Sequence, residues 1–330
     1  MKKTGLLLYI TLVILLSACG CGGNKPGQGS APSPQLVVEF PHLDTSYAAL
    51  AFFPDGTKIA TGTRDNLVRI WSIPEKKELK SFKGHKNVVL AVAVSPDSKT
   101  VASGSTDKDV RLWNSDTGEC LAVFSGSLFD VFSLAFSPDK NELASGAGDD
   151  FVRIWNLDTK KQKRILRGHV YCVHAVAYSK AGSYIASACY ADTIRLWDAK
   201  TYKLIRVLLE HKDAVWNMDF SDDEAYLATG QENGKISIYD LKTLKIAASL
   251  TNNTGQVQVV RFTPDSGKLF SISEDGYVAL WDVKNQKLIN RFDAGCGKLG
   301  AMDLSSDGKL LATGSINGYL KVWNVEKLWK

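Results

Sequence analysis

The chain has 330 residues, of which 45% are hydrophobic and 23% are charged, and its formal net charge is +5. This composition is typical of a folded globular protein and excludes both an intrinsically disordered chain and one embedded in a membrane. The positive charges are spread along the whole sequence, so the balance is too weak to indicate nucleic-acid binding. A chain of this length buries a large core without disulfides or metals to hold it together.

The first 18 residues have the organisation of an export signal. Two lysines precede an uncharged run over residues 6–16, which is too short to span a bilayer comfortably as a helix. The run ends in Leu16-Ser17-Ala18-Cys19, which resembles the lipobox of bacterial lipoprotein signal peptides. That resemblance implies cleavage before Cys19 and acylation of Cys19, the predicted lipidation site. The alternative is an ordinary secretory signal cut near Ala18, with Cys19 left as a free thiol.

Residues 19–35 form a predicted linker behind this signal. Positions 20–34 are rich in Gly, Pro, Ser and Asn and carry almost no apolar side chains, which predicts a flexible tether. A tether behind a lipidated cysteine predicts a membrane-anchored lipoprotein on the outer side of the cytoplasmic membrane, with the outer membrane as the alternative. Residue 20 is Gly and not the Asp that, in some two-membrane bacteria, resembles an inner-membrane retention signal.

The remaining residues, 36–330, carry an internal repeat with a period of 42 residues and no insertion or deletion. Each copy has an aromatic residue at a fixed position and a small hydroxyl residue ten positions before it. The aromatic residues are Trp71, Trp113, Trp155, Trp197, Tyr239, Trp281 and Trp323. The hydroxyl residues are Thr61, Ser103, Ser145, Ser187, Thr229, Ser271 and Thr313. The sequence therefore predicts the same supersecondary unit seven times.

Each copy predicts short strands separated by tight turns. Segments such as Val110–Trp113 alternate apolar and polar residues, and Ser137-Pro138-Asp139-Lys140 has the residues favoured in a type I turn. Three or four short strands per copy, repeated radially, predict an all-β, seven-bladed propeller. The last copy lacks a final strand, while residues 37–40 form an extra strand ahead of the first copy. We expect this N-terminal strand to complete the last blade and close the ring.

Four dipeptides in these copies, Gly84-His85, Gly168-His169, Trp197-Asp198 and Trp281-Asp282, resemble the signature of the tryptophan–aspartate (WD) repeat family. The resemblance covers residues 36–330. It implies that His85, Ser103, Asp107 and Trp113 of the second blade form a hydrogen-bonded structural tetrad. His, Ser and Asp also make up a hydrolase triad. The trio recurs here as part of a structural repeat unit, which favours the structural interpretation.

Other sequence signals of catalysis are absent. The chain has no Gly-rich phosphate loop, no Cys-pair zinc spacing, no His-Glu-x-x-His pattern and only five histidines. The innermost strands, exemplified by residues 131–136, are apolar and small, which argues against a metal-dependent hydrolase at the central channel. We predict a protein without catalytic residues, cofactor or metal. An enzyme that uses the channel mouth is the alternative.

The copies vary freely at two positions of the predicted top rim, while the repeated landmark residues are kept. One position holds Ala48, Leu90, Phe132, His174, Trp216, Gln258 and Gly300, and the other holds Arg64, Thr106, Gly148, Tyr190, Glu232, Glu274 and Ile316. Phe132, His174, Tyr190 and Trp216 fall in the adjacent third, fourth and fifth blades, which predicts a partner-binding patch. Glu232 and Glu274 beside it favour a partner with a basic element. The alternative is that these rings pack inside the propeller.

Cys172 and Cys189 fall on adjacent strands of the predicted fourth blade. Outside the cytoplasm such a pair is able to form a disulfide. The alternative, two buried thiols, is favoured because cysteine packs well as a small apolar residue.

Together these features predict a membrane-anchored, non-catalytic scaffold that binds a protein or peptide partner at the top rim. The sequence predicts neither a nucleic-acid partner nor a small-molecule substrate. A subunit of an envelope assembly complex and a propeller hydrolase are the alternatives.

Overall fold

The computed structural model describes residues 33–190, 193–210, 213–251, 253 and 255–329. The predicted signal peptide, the lipidation site Cys19 and most of the linker therefore lie outside the described residues. The described part is almost entirely β-structure, with 28 strands and one short helix near the C-terminus.

The strands form seven antiparallel sheets of four strands each, one sheet for each copy of the repeat. The first blade contains β2 (Tyr47–Phe52), β3 (Lys58–Thr63), β4 (Val68–Ser72) and β5 (Lys77–Phe82), and the second contains β6 (Val89–Val94), β7 (Thr100–Ser105), β8 (Val110–Asn114) and β9 (Cys120–Phe124). The third contains β10 (Val131–Phe136), β11 (Glu142–Ala147), β12 (Val152–Asn156) and β13 (Lys161–Leu166), and the fourth contains β14 (Val173–Tyr178), β15 (Tyr184–Cys189), β16 (Thr193–Asp198) and β17 (Leu204–Glu210).

The other three blades follow the same order. The fifth contains β18 (Val215–Phe220), β19 (Tyr226–Gln231), β20 (Ile236–Asp240) and β21 (Lys245–Leu250), and the sixth contains β22 (Val257–Phe262), β23 (Lys268–Ser273), β24 (Tyr277–Asp282) and β25 (Lys287–Asp293). The seventh contains β26 (Leu299–Leu304), β27 (Leu310–Ser315), β28 (Leu320–Asn324) and β1 (Gln35–Glu39), and helix α1 (Glu326–Trp329) follows it. The predicted seven-bladed propeller is confirmed.

The first strand of each blade lies innermost. These strands contact one another in sequence from β2 to β26, and β26 contacts β2. The second and third strands carry most of the buried apolar side chains, because both of their faces are covered by neighbouring blades. The fourth strands lie on the outside of the ring and are largely exposed.

The seventh blade is assembled from both ends of the chain. Strand β1 pairs antiparallel with β28, with Gln35 opposite Asn324 and Glu39 opposite Lys321. Lys321 Nζ also lies 3.6 Å from Glu39 Oε2. Gln35, the last residue of the predicted linker, is thus the first residue of β1. The pairing covers the edge of β28 that would otherwise expose unpaired backbone groups.

One buried hydrogen bond recurs in six of the seven blades. The indole Nε1–H of the third strand donates to the hydroxyl of the second strand. The pairs are Trp71 to Thr61 (2.9 Å), Trp113 to Ser103 (2.8 Å), Trp155 to Ser145 (2.8 Å), Trp197 to Ser187 (2.9 Å), Trp281 to Ser271 (2.9 Å) and Trp323 to Thr313 (3.1 Å). In blade 5, where Tyr239 replaces the tryptophan, Thr229 donates to the backbone oxygen of Ser237 (3.3 Å).

In blade 2 this bond belongs to the larger network of His85, Ser103, Asp107 and Trp113. His85 Nε2 lies 2.7 Å from Ser103 Oγ, and His85 Nδ1 lies 2.9 Å from Asp107 Oδ2. Asp107 also accepts a hydrogen bond from the backbone N–H of Lys86 (2.8 Å). Ser103 is fully buried and its hydroxyl is shared between Trp113 and His85, so substrate has no access to it. The network ties the loop before the blade to its second and third strands.

Charged side chains lie on the innermost strands of three blades, so the expectation that the innermost strands are apolar and small does not hold there. At the position where blades 1 to 4 carry Ala51, Ala93, Ala135 and Ala177, blades 5 to 7 carry Asp219, Arg261 and Asp303. Arg261 Nε donates to Asp303 Oδ1 (2.8 Å). Asp219 accepts from the backbone N–H of Phe262 (2.7 Å), and Asp303 accepts from that of Phe52 (2.9 Å). These bonds join blades 5, 6, 7 and 1.

Ser103→Ala tests the buried network of blade 2. The change leaves the Trp113 N–H and one nitrogen of His85 buried without their partner, and each such group costs about 1–3 kcal/mol. We expect the free energy of unfolding, measured by urea titration, to fall by about 2–4 kcal/mol. Ser125→Ala removes an exposed hydroxyl that bonds Asp109 and is the matched control, with an expected change below about 0.5 kcal/mol. Equal losses in the two variants would contradict the structural role.

Asp219→Asn tests the channel charges through their pH dependence. Burial raises the pKa of Asp219 to about 7, although Arg261 opposes this shift. The folded protein therefore holds this proton more tightly than the unfolded chain, whose Asp residues titrate near pH 3.9. As pH rises from about 4 to 7, we expect the free energy of unfolding to fall, by at most about 1.4 kcal/mol per pH unit from this residue.

Asp219→Asn removes the ionisation and keeps an oxygen to accept the N–H of Phe262. We expect urea titrations at pH 4.5 and pH 7.5 to show a smaller fall in the variant than in the wild type. Asp116→Asn, at an exposed turn, serves as the control and keeps the wild-type pH dependence. A pH profile of Asp219→Asn that superimposes on that of the wild type would rule out the raised pKa.

Candidate partner-binding surface

One face of the ring is built from two kinds of connection, the loops that lead into each innermost strand and the turns between second and third strands. We call it the top face. In every blade a turn N–H donates to a loop carbonyl eighteen residues earlier. The pairs are Arg64 to Ser46, Thr106 to Val88, Gly148 to Asp130, Tyr190 to Cys172, Glu232 to Ala214, Glu274 to Gln256 and Ile316 to Lys298. Both variable rim positions predicted from the sequence therefore lie on this face.

The four aromatic residues predicted to form a patch do meet on the top face. The Phe132 and His174 rings stack with centroids 4.4 Å apart and planes 9° from parallel. Trp216 meets His174 edge-on at 4.8 Å, and Tyr190 lies 5.8 Å from His174 and 6.3 Å from Trp216. We call these four residues the aromatic cluster. Three consecutive blades contribute to it.

His174 is the packed centre of the aromatic cluster. Only 6% of its surface is exposed, whereas Phe132, Tyr190 and Trp216 are half-buried. Burial lowers the pKa of His174 to about 4, so the imidazole is neutral near pH 7. Its Nε2 and the indole Nε1 of Trp216 are buried without a hydrogen-bond partner among the described residues. The packing alternative thus applies to His174, while the other three rings keep surface available for contact.

A second group of apolar side chains, missed by the sequence analysis, stands on the two loops beside the cluster. Leu128 and Phe129 precede β10 and are 65% and 38% exposed, and Val170 and Tyr171 precede β14 and are 57% and 44% exposed. We call these four residues the loop patch. The signal was present in the repeat alignment, because the corresponding positions of blade 2 hold Lys86-Asn87. Comparing loops as well as strands would have found it.

Gly148 makes the loop patch and the aromatic cluster continuous. A Cβ at this position would lie 2.9 Å from Phe129 Cβ and 3.4 Å from Phe132 Cε2. It would also lie 3.7 Å from the sulfur of Cys172, which follows Tyr171 in the chain. A side chain here would push Phe129 away. The glycine therefore allows the loop residues to close over the rim and form one surface with the cluster, which we call the top-face surface.

The loop that carries Leu128 is held in place by an ion pair beneath it. Arg153 Nη2 lies 2.7 Å from Asp149 Oδ2 and also donates to the backbone oxygen of Gly126 (2.8 Å). Asp149 accepts from the backbone N–H of Leu128 (2.8 Å). Arg153 and Asp149 are buried. In blade 2 a histidine, His85, holds the corresponding loop, and blade 3 has Ser127 at that position, so Arg153 and Asp149 hold the loop instead. The loop patch is therefore presented on a fixed backbone.

The loop that carries Val170 and Tyr171 is held by a different set of bonds. Arg195 Nη2 donates to the backbone oxygen of Gly168 (2.9 Å), and His169 Nε2 lies 2.7 Å from Ser187 Oγ. Burial lowers the pKa of His169 to about 3, so this imidazole is also neutral near pH 7.

The two acidic residues predicted to flank the cluster differ in their surroundings. Glu232 is exposed, and its backbone N–H donates to Ala214, two residues before Trp216. Glu274 lies one blade further and pairs with Lys298 (2.7 Å). A third carboxylate, not predicted, belongs to half-buried Asp130 next to Phe129, and burial raises its pKa. The top-face surface is thus bordered by acidic groups.

Other candidate sites give simpler results. Cys172 and Cys189 are separate thiols, which bond the backbone oxygens of Gly148 (3.6 Å) and Thr193 (3.7 Å). The described residues contain no group of three or more His, Cys, Asp or Glu side chains placed to hold a metal ion. Within the same part of the chain, no helix is long and apolar enough to cross a membrane.

Comparison with known proteins extends the evidence of the fold. The family model described as WD domain, G-beta repeat matches residues 35–72, 76–114, 118–156, 160–198, 202–240, 244–282 and 286–324. No curated protein sequence matches the chain at a significant level. The seven matched segments cover most of the chain, and each holds the fourth strand of one blade followed by the first three strands of the next blade. The chain therefore belongs to the WD-repeat family of β-propellers.

Proposed function

We propose that this protein is a non-catalytic, membrane-anchored scaffold that binds a protein or peptide partner at the top-face surface. The observation that carries the proposal is the continuity of the exposed loop patch with the aromatic cluster on fixed loops. A non-enzymatic interaction scaffold is also the typical role of a WD-repeat propeller.

The physical character of the surface fits a binding hot spot. Trp, Tyr and other large apolar side chains dominate the binding energy of protein interfaces, and they are most effective where water is excluded around them. A contiguous apolar patch of this kind on a soluble domain marks an interaction site. Since the loops are already held by Arg153 and Arg195, little conformational entropy is lost when a partner binds.

Membrane attachment is the second part of the proposal. The basic start, the apolar run and the Leu16-Ser17-Ala18-Cys19 box support lipidation of Cys19. Strand β1 runs from Gln35 toward the loop at residues 40–46 on the top face. Gln35, the first residue of this strand, therefore lies at the face opposite the top-face surface.

Affinity capture from detergent-solubilised envelope tests the binding site. We expect the wild type to retain a partner that is lost by Tyr190→Ala/Trp216→Ala and by Phe129→Ala/Tyr171→Ala, with at least about a tenfold weaker affinity in each case. Quantitative mass spectrometry of the captured proteins gives the comparison. The second pair changes exposed loop side chains, so it keeps the test valid if the first pair unfolds the protein.

The matched control is Leu288→Ala/Ile289→Ala, which removes two similarly exposed apolar side chains from β25 on the outside of the ring. This control should capture the same partner as the wild type. Capture of one identical set of proteins by all four forms would refute the proposed binding site.

Cys19→Ala tests the membrane anchor. Without the thiol no diacylglycerol is attached, so we expect the variant to lose labelling by radioactive palmitate and to leave the membrane fraction. Cys21→Ala, two residues further on, is the control and should label and fractionate like the wild type. Continued labelling and membrane fractionation of Cys19→Ala would exclude this lipidation site.

A further inference from the structure

We infer that the partner segment bound at the top-face surface is basic as well as apolar, a peptide that carries lysine or arginine beside bulky apolar residues. The inference rests on the proposed function, since it names the chemistry of the partner at that same site. Three observations support it. The described charges around the surface are mostly negative, Asp130 is half-buried with no ion pair to another described residue, and Glu232 lies at the other end of the row of rings.

The border of the top-face surface is acidic in a chain that is basic overall. The described residues of the loops and turns around it include five acidic and two basic residues, whereas the whole chain has a net charge of +5. These segments are residues 125–130, 148–151, 167–172, 190, 213–214 and 232–235. One of the five, Asp149, pairs with Arg153 inside blade 3, and without it the acidic residues still outnumber the basic ones. Such a field attracts cationic partners and repels anionic ones.

Asp130 is a carboxylate that lacks a compensating cation. It is half-buried between Phe129 and the start of β10, and its backbone oxygen accepts the N–H of Gly148. No ion pair to Asp130 is present among the described residues, and the charge of Lys108 in the neighbouring blade only partly offsets the burial of this carboxylate. Removing a carboxylate from water without a partner charge is unfavourable. An ammonium or guanidinium group from a bound segment would compensate it.

Glu232 lies at the opposite end of the row of rings. It occupies in blade 5 the rim position that Tyr190 occupies in blade 4, and it is exposed. Between Asp130 and Glu232 stand the partly exposed rings of Phe132, Tyr190 and Trp216. Aromatic faces attract cations through their quadrupole, Trp most strongly. A segment with apolar side chains on the rings and basic side chains at the two ends therefore matches the surface in both shape and charge.

Peptide selection with the purified full-length protein tests the inference. The probe is a displayed library of random twelve-residue peptides, and the measurement is the frequency of each residue type in the enriched peptides relative to the input. We expect Lys and Arg to be enriched at least about twofold together with Trp, Phe and Leu, and Asp and Glu to be depleted. Enrichment without excess Lys or Arg, or no enrichment of any peptide, would overturn the inference.

Affinities of the most enriched synthetic peptide separate the two levels of the proposal. Asp130→Asn and Glu232→Gln keep the shape of each side chain, and together we expect them to weaken binding at least about tenfold and to reduce its dependence on salt. Asp44→Asn, an exposed aspartate of the top face near blade 7, is the matched control and should bind like the wild type.

The outcomes remain distinguishable. If the charge variants bind the peptide as tightly as the wild type while Tyr190→Ala/Trp216→Ala does not, the partner is apolar and the inference about charge fails alone. If Tyr190→Ala/Trp216→Ala and Phe129→Ala/Tyr171→Ala also bind like the wild type, the top-face surface is not the binding site and the proposed function fails with it.

Discussion

The hydrogen bond from the indole of the third strand to the hydroxyl of the second strand is the contact on which the blades depend. It is buried in six blades, with donor–acceptor distances from 2.8 to 3.1 Å. An indole N–H inside a sheet must find an acceptor, because a buried unpaired donor is costly. The spacing of ten residues between the two groups spans the turn between the strands and fixes their register.

Because this bond holds the strands of each blade, the loops of the top face can differ in sequence from one blade to the next. In blade 2 His85 and Asp107 hold the loop, whereas in blade 3 Arg153 and Asp149 hold a loop that has Ser127 in place of the histidine. Each loop has its own supporting hydrogen bonds, so the third and fourth blades present exposed apolar side chains on a rigid backbone. Rigid presentation of large side chains is what an interaction surface requires.

The innermost strands of blades 1 to 4 differ in composition from those of blades 5 to 7. Blades 1 to 4 place alanines along the channel, while Asp219, Arg261 and Asp303 connect blades 5, 6, 7 and 1 through ionic and backbone hydrogen bonds. The bond from Phe52 to Asp303 crosses the seam where the two ends of the chain meet. Strand β1 strengthens the same seam from outside by pairing with β28. The seam is therefore joined at both its inner and outer edges.

The sequence alone determined the number of blades, their boundaries, the bonded Trp and Ser or Thr pairs, and the four rings of the aromatic cluster, because a strict period of 42 residues translates directly into equivalent positions in space. The sequence also carries a signal for Leu128 and Tyr171, because the equivalent positions of blade 2 hold the polar residues Lys86 and Asn87. Only the tertiary structure decided that Phe129 closes over Gly148 and that His174 is buried while Trp216 is partly exposed. It also decided that Asp130 is half-buried with no ion pair to another described residue. The sequence already places Asp219, Arg261 and Asp303 on the inner strands of blades 5 to 7, but only the structure shows that they form bonds across blades. Burial and charge compensation depend on which blades become neighbours when the ring forms, and a periodic pattern within one copy carries no information about that.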